Sequence, residues 1–181
     1  TFVDGKSRIL IPYVDVQSIN QQNEIGIAFL DLSTGEFLTA QGNSGYIDKL
    51  IQSFNPSEII FSRGNRDQFY GQFSEGYNTY QLDDWVYAFD YAQERLTTHF
   101  ATSSLKGFGI DTLELGIVAS GAILYYLEET EHKETDHIAT ISRLEEDKYV
   151  WLDKFTIRNL ELVYPQHQGG VPLIDILDHT L

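Results

Sequence analysis

The sequence predicts an α/β fold: a mixed five-stranded sheet flanked by helices over residues 1–142, then a mainly helical, truncated segment over residues 143–181. Three observations carry this. Two hydrophobic periods alternate along the chain in the order strand-strand-strand-helix-strand-helix-strand-helix. The run Glu58 to Ser62 is short and apolar, as expected of a buried strand joined to its neighbours through helices. A later helix, from about Thr112 to Glu131, is apolar nearly all round, which marks it as buried.

The elements follow in order. Arg8 to Tyr13 is a short apolar strand, and the polar stretch Gln17 to Asn23 reads as the loop after it. Glu24 to Leu32 is a longer strand, with Ile25, Ile27 and Phe29 alternating against Gly26, Ala28 and Leu30. Ser33-Thr34 and a glycine connect it to Gly35 to Ala40, which marks a hairpin. Asn43 or Ser44 can cap the first helix, whose Ile47, Leu50, Ile51 and Phe54 share one face. Asn55-Pro56 ends it, because a residue before proline avoids the helical region. After the Glu58 strand come a weaker helix, Arg66 to Phe73, and a strand, Tyr77 to Leu82. Asp83 or Asp84 can cap a third helix running from Asp84 to Ala101. Its stripe of Trp85, Phe89, Ala92, Leu96 and Phe100 should face the sheet.

Leu105 to Ile110 is a turn with two glycines. In the buried helix beyond it, Gly116, Ala119, Ser120, Gly121 and Ala122 are small enough to let a neighbour approach closely. The acidic loop Glu131 to Asp136 breaks the pattern, and a domain boundary is expected near residue 142. Beyond it, Asp153 can cap a helix through Leu162, and Val171 to Leu177 starts an apolar element that the chain end cuts short. The absent starting Met and this apolar ending lead us to expect an excised piece of a longer protein.

Composition narrows the function classes. The 181 residues are 42% hydrophobic and 13% aromatic, enough for a core. No apolar run reaches the ~18 residues of a membrane span, and no signal peptide opens the chain. Cysteine is absent, so there is neither a disulfide frame nor a thiolate metal site. A formal net charge of −15 repels phosphates and offers little counterion-release affinity for nucleic acid. The aromatics are not interleaved with basic residues as a nucleic-acid stacking platform requires, so core and interface packing is the favoured reading.

Asp31 is the one residue that invites a catalytic reading. An acid on the first long strand of this element order is where ribonuclease-H-like nucleases keep a metal carboxylate, and two-metal chemistry needs several converging carboxylates. At the end of the Ile59 to Phe61 strand, however, the chain supplies Ser62-Arg63-Gly64, a cation. Asp83 and Asp84 are remote in sequence. Asp31 is therefore expected to bond the Ser33-Thr34-Gly35 turn. His99, His132, His137, His167 and His179 show no metal-ligand spacing on one helix, and His132 and His137 are expected to be solvated. There is no nucleophile elbow, no Walker A loop, and no third glycine after Gly107-Phe108-Gly109.

Five pieces, in order, resemble the connector of the MutS family of DNA mismatch-repair proteins and the start of the domain after it. Gly26 to Phe37 (GIAFLDLSTGEF) resembles the connector's opening strand and hairpin, and Asn55 to Ile60 (NPSEII) its helix-to-strand corner. Leu105 to Gly109 with Ala119 to Tyr126 resembles its glycine turn and small-residue helix. Leu152 to Leu162 and Leu177 to Thr180 resemble the start of the family's core, or lever, domain. Residues 1–23 match poorly.

The resemblance implies a ribonuclease-H-like connector, residues 1–142, without nuclease activity, followed by the N-terminal part of the core domain, residues 143–181. It implies a cytoplasmic, non-enzymatic segment that couples mismatch recognition to ATP hydrolysis and offers a surface to MutL. No cofactor is expected in this segment. ATP and magnesium, mismatched DNA and the homodimer belong to parts of a full-length parent absent here. On the polar face of the Asp84 to Ala101 helix, Gln93, Glu94 and Arg95 are the residues such a docking surface would use, against the plain alternative of solvation. The competing function class is a metal-dependent ribonuclease-H-like nuclease or resolvase.

Overall fold

A computed structural model describes residues 9–15, 24–54, 56–72, 77–130 and 135–145. The chain divides into two compact units, Thr1–Glu146 and Asp147–Leu181. The expected elements around Gln17 to Asn23, Glu131 to Glu134, Asp153 to Leu162 and Val171 to Leu177 lie outside the described residues.

The first unit is built on one mixed sheet. Its strands are β1 (Ile9–Asp15), β2 (Glu24–Asp31), β3 (Phe37–Asn43), β4 (Glu58–Ser62), β5 (Asn78–Leu82) and the short β6 (Ser142–Arg143), in the spatial order β5-β4-β1-β2-β3-β6. β1, β2 and β3 pair antiparallel, Leu10 facing Leu30 and Ile27 facing Ala40. β4 lies parallel to β1 and β5 parallel to β4, as parallel partners joined through helices must. The sequence led us to expect five strands; the sixth is β6, which runs parallel to β3 and is extended by Leu144 N–H donating to the Thr39 carbonyl at 2.8 Å. A two-residue strand shows no alternation, which is why the sequence does not reveal it.

The β2–β3 turn is tied by its own polar residues. Gly35 N donates to the Asp31 carbonyl at 2.8 Å, and Gly35 takes φ +75°, a conformation that disfavours a side chain. Helix α1 (Ser44–Phe54) is capped by Asn43, whose Oδ1 accepts from Tyr46 N at 3.0 Å, and it buries Ile47, Leu50 and Ile51. Phe54 stacks on Phe29 of β2 at 4.2 Å. Helix α2 (Arg66–Gln72) follows β4 after a 3-10 turn at Arg63–Asn65, and Phe69 stacks on Phe61.

The third helix departs from expectation. Asp84–Tyr87 form a 3-10 turn, Ala88 is extended, and helix α3 spans only Phe89–His99. The Asp83 side chain makes no capping bond. Ala92 and Leu96 are buried, but Trp85 and Phe89 are exposed, so the predicted stripe is broken at its start. Nor does α3 face the sheet: it packs on helix α4 (Glu114–Glu129), and α4 is the helix that lies on β1, β2 and β3. A period identifies the buried side of a helix but not its partner.

The small residues of α4 explain that layering. A Cβ on Gly121 would come within 2.5 Å of Ala92 Cβ, so α3 sits almost against the α4 backbone. On the sheet side, a Cβ on Gly116 would lie 2.7 Å from Thr39 Oγ1, and one on Gly26 would lie 2.2 Å from the Leu115 backbone. The buried Thr39 hydroxyl is 3.0 Å from both the Ile27 and Gly116 carbonyls, joining two strands to the helix. Gln41 Oε1 accepts from Leu115 N at 2.9 Å, meeting one of the unpaired amides at the start of α4.

Candidate functional site

Because Ser62 pairs with Leu82 at the last rung of the β4–β5 ladder, the residues after each strand emerge side by side. Asp84 Oδ1 accepts from Gly64 N at 2.9 Å and also from the Ser62 hydroxyl, and Arg63 pairs with Asp83 at 3.0 Å. The Ser62 bond, then the Gly64 bond, hold the Asp84 carboxyl below the usual carboxylate range. The sequence reading places Asp83 and Asp84 far from Ser62-Arg63-Gly64, and the sheet brings them together. Parallel pairing of the two strands is the signal that could have found this cluster.

The residues expected on the polar face of the third helix divide in two. Gln93 and Glu94 are exposed on α3. Arg95 is not free in the same way, since its side chain is only 23% exposed. Its guanidinium lies 5.5 Å from the Tyr91 ring and 5.6 Å from the Tyr125 ring. It donates to Tyr91 Oη at 2.9 Å and to the Leu124 carbonyl at 3.5 Å, and it pairs with Glu128. Burial alone would lower the Arg95 pKa, but the Glu128 and Tyr91 interactions outweigh it, so the guanidinium stays charged. Arg95 thus fastens α3 to α4. A helical wheel puts it on the polar face and cannot show that Tyr91, one turn earlier, and Tyr125, on another helix, close over it.

Asp31 serves its turn. Its Oδ1 accepts from Ser33 N at 2.8 Å, Ser33 Oγ at 2.6 Å and Thr34 N at 3.4 Å. Among the described residues no three His, Asp or Glu side chains come together in a group that could hold a metal. His137, expected to be only solvated, is exposed but also places Nε2 3.0 Å from the Leu32 carbonyl. That bond fastens residues 135–138 over the β2–β3 turn, where the His137 carbonyl would lie 2.4 Å from a Cβ on Gly35. His99 Nε2 is 2.9 Å from the Ile138 carbonyl.

A mixed sheet with α4 packed on it and α3 packed on α4 defines an α/β domain. The chain belongs to the family described as MutS domain II, whose model matches residues 13–139. It is 59% identical over 160 residues to the DNA mismatch repair protein MutS of Cytophaga hutchinsonii, covering 88% of this chain and 19% of that protein. The MutS proteins of Flavobacterium psychrophilum (57% identical; 87% of this chain, 18% of that protein) and Bacteroides fragilis (53%; 86% and 18%) are similar to it too. The chain therefore spans about a fifth of the length of the curated relatives it matches. Among the described residues no helix is long and apolar enough to cross a membrane.

Proposed function

We propose that this chain is the connector of a cytoplasmic MutS mismatch-repair ATPase: a ribonuclease-H-like domain, not catalytic by itself, that couples mismatch recognition to ATP hydrolysis and offers a docking face to MutL. The observation that carries this reading is the MutS domain II match over residues 13–139, on a body whose β1 to β5 follow a three-antiparallel, two-parallel plan. Residues 143–181 would begin the core domain. DNA, ATP with magnesium, and the second protomer would engage other parts of the parent.

The polar face of α3 at Gln93, Glu94 and Arg95 is the proposed MutL-facing surface. Gln93 and Glu94 are exposed on a helix that Arg95 fastens to α4, so they project from a rigid support. Charged rim residues of this kind set association rate and salt dependence more than affinity. The test is Gln93→Ala with Glu94→Ala in the intact parent, leaving Arg95 in place because its loss would also loosen α3. Mismatch binding and ATP hydrolysis should survive while ATP-dependent MutL recruitment falls; unaltered recruitment removes this face. The nuclease alternative draws no support from Asp31, whose carboxylate is committed to its turn. A saturable Mg²⁺- or Mn²⁺-induced shift of the Asp31 resonances would reopen it.

A further inference from the structure

We propose that Trp85, Tyr91 and Tyr125 form an aromatic ledge on which a protein partner docks through the cationic side chain of an extended, arginine- or lysine-bearing segment. This goes beyond the α3 reading above and uses a different chemistry. Trp85 is 53% exposed, the largest exposure among the exposed large hydrophobic side chains of the described residues. Its indole is nevertheless held in place: it meets Tyr91 edge-on at 5.1 Å and Tyr125 edge-on at 5.3 Å. A fixed aromatic ring with much of its surface in water has lost its side-chain freedom in advance, which favours a binding anchor.

Charge and chemistry select the partner. The same cluster already holds one cation, Arg95, over the faces of Tyr91 and Tyr125. Indole is the best aromatic acceptor for a second one. Around the ledge, Asp83, Asp84, Glu128 and Glu129 outnumber Arg63 and Arg95. Burial, then the Glu129 carboxylate, and more weakly Asp83, raise the Tyr125 hydroxyl, so both carboxylates act at the ring. The chain as a whole carries −15, which repels phosphate-rich or acidic partners at long range and speeds the approach of basic ones.

The probe is an octapeptide of alternating arginine and serine, titrated into the 181-residue chain while the Trp85 indole N–H resonance is followed, with that resonance assigned by its loss in Trp85→Ala. A saturable shift is expected in the unaltered chain; peptide affinity, read for every variant by titration calorimetry because the indole signal is gone from the Trp85 variants, should fall about tenfold in Trp85→Ala, much less in Trp85→Phe, and also in Glu129→Lys. A matching glutamate–serine peptide should leave the resonance unmoved. Equal affinity for Trp85→Ala and the unaltered chain would mean that only net charge attracts the peptide, and would overturn the proposal. So would an unmoved Trp85 resonance, or equal binding of the glutamate peptide. These outcomes do not bear on MutL recruitment through Gln93 and Glu94, which its own variants test.

Discussion

The end of α3 turns on a residue that is not a glycine. Ala101 takes φ 48°, with its N–H donating to the Thr98 carbonyl at 3.2 Å and Thr102 N donating to the Thr97 carbonyl at 3.0 Å. A side chain in the left-handed region costs about 1 kcal/mol or more, and glycine removes that cost while giving back part of it as unfolded-chain entropy. Ala101→Gly should therefore raise stability by about 0.5 kcal/mol, visible as a shift of the denaturation midpoint; a lowered midpoint would show that the alanine methyl packs. Asp84 makes a pH-dependent contribution. Its folded pKa lies below the ordinary 3.8, so the stability it supplies is complete above that value and is lost as pH falls through the depressed folded pKa. The unaltered chain should exceed Asp84→Asn in stability at neutral pH, and the gap should close only in strong acid. A gap independent of pH would assign the effect to geometry and not to charge.

The seat of α3 on α4 is set by one missing side chain. In an exposed helix, Gly→Ala gains about 1 kcal/mol from propensity. At Gly121 the new methyl would meet Ala92 Cβ at 2.5 Å and Cα at 2.6 Å, and overpacking of that kind costs about 1–3 kcal/mol. The clash should win: Gly121→Ala is expected to lower the melting temperature, and a rise would mean that α3 can shift outward at little cost. The sequence showed the small residues of α4 and their meaning, as it showed β1 to β5, the α1 cap alternatives and the Asp31 turn, because local chemistry and period specify all of these. It did not show which helix covers which layer. The Asp84 to Ala101 segment reads as one amphipathic helix on the sheet, but Ala88 is extended and Trp85 and Phe89 turn to solvent. The Arg95 clamp and the Ser62–Asp84 bond were illegible for the same reason: each joins groups that only the tertiary fold brings together.

At the scale of the whole molecule, the surface is strongly anionic, and a chain with net charge −15 releases few counterions from DNA. Duplex DNA titrated with this chain at physiological salt should show no retardation, matched or mismatched; tight binding would place a DNA contact in this part of the protein. The arrangement of the sheet bears on how the body is assembled. β1, the first strand made, is its middle: Leu10 faces Leu30 on one side and Glu58 on the other. As the chain leaves the ribosome, the β2–β3 hairpin can close early, but one flank of β1 stays unsatisfied until β4 emerges. Such distant pairings slow folding. A polypeptide started at residue 24 would keep both outer pairs, β2–β3 and β4–β5, and lose the strand that joins them. It should melt without a single cooperative transition. An expression boundary drawn at the start of the matched region, residue 13, would cut through β1 and leave three of its seven residues, so the pairing that joins the two halves of the sheet would be lost with the rest.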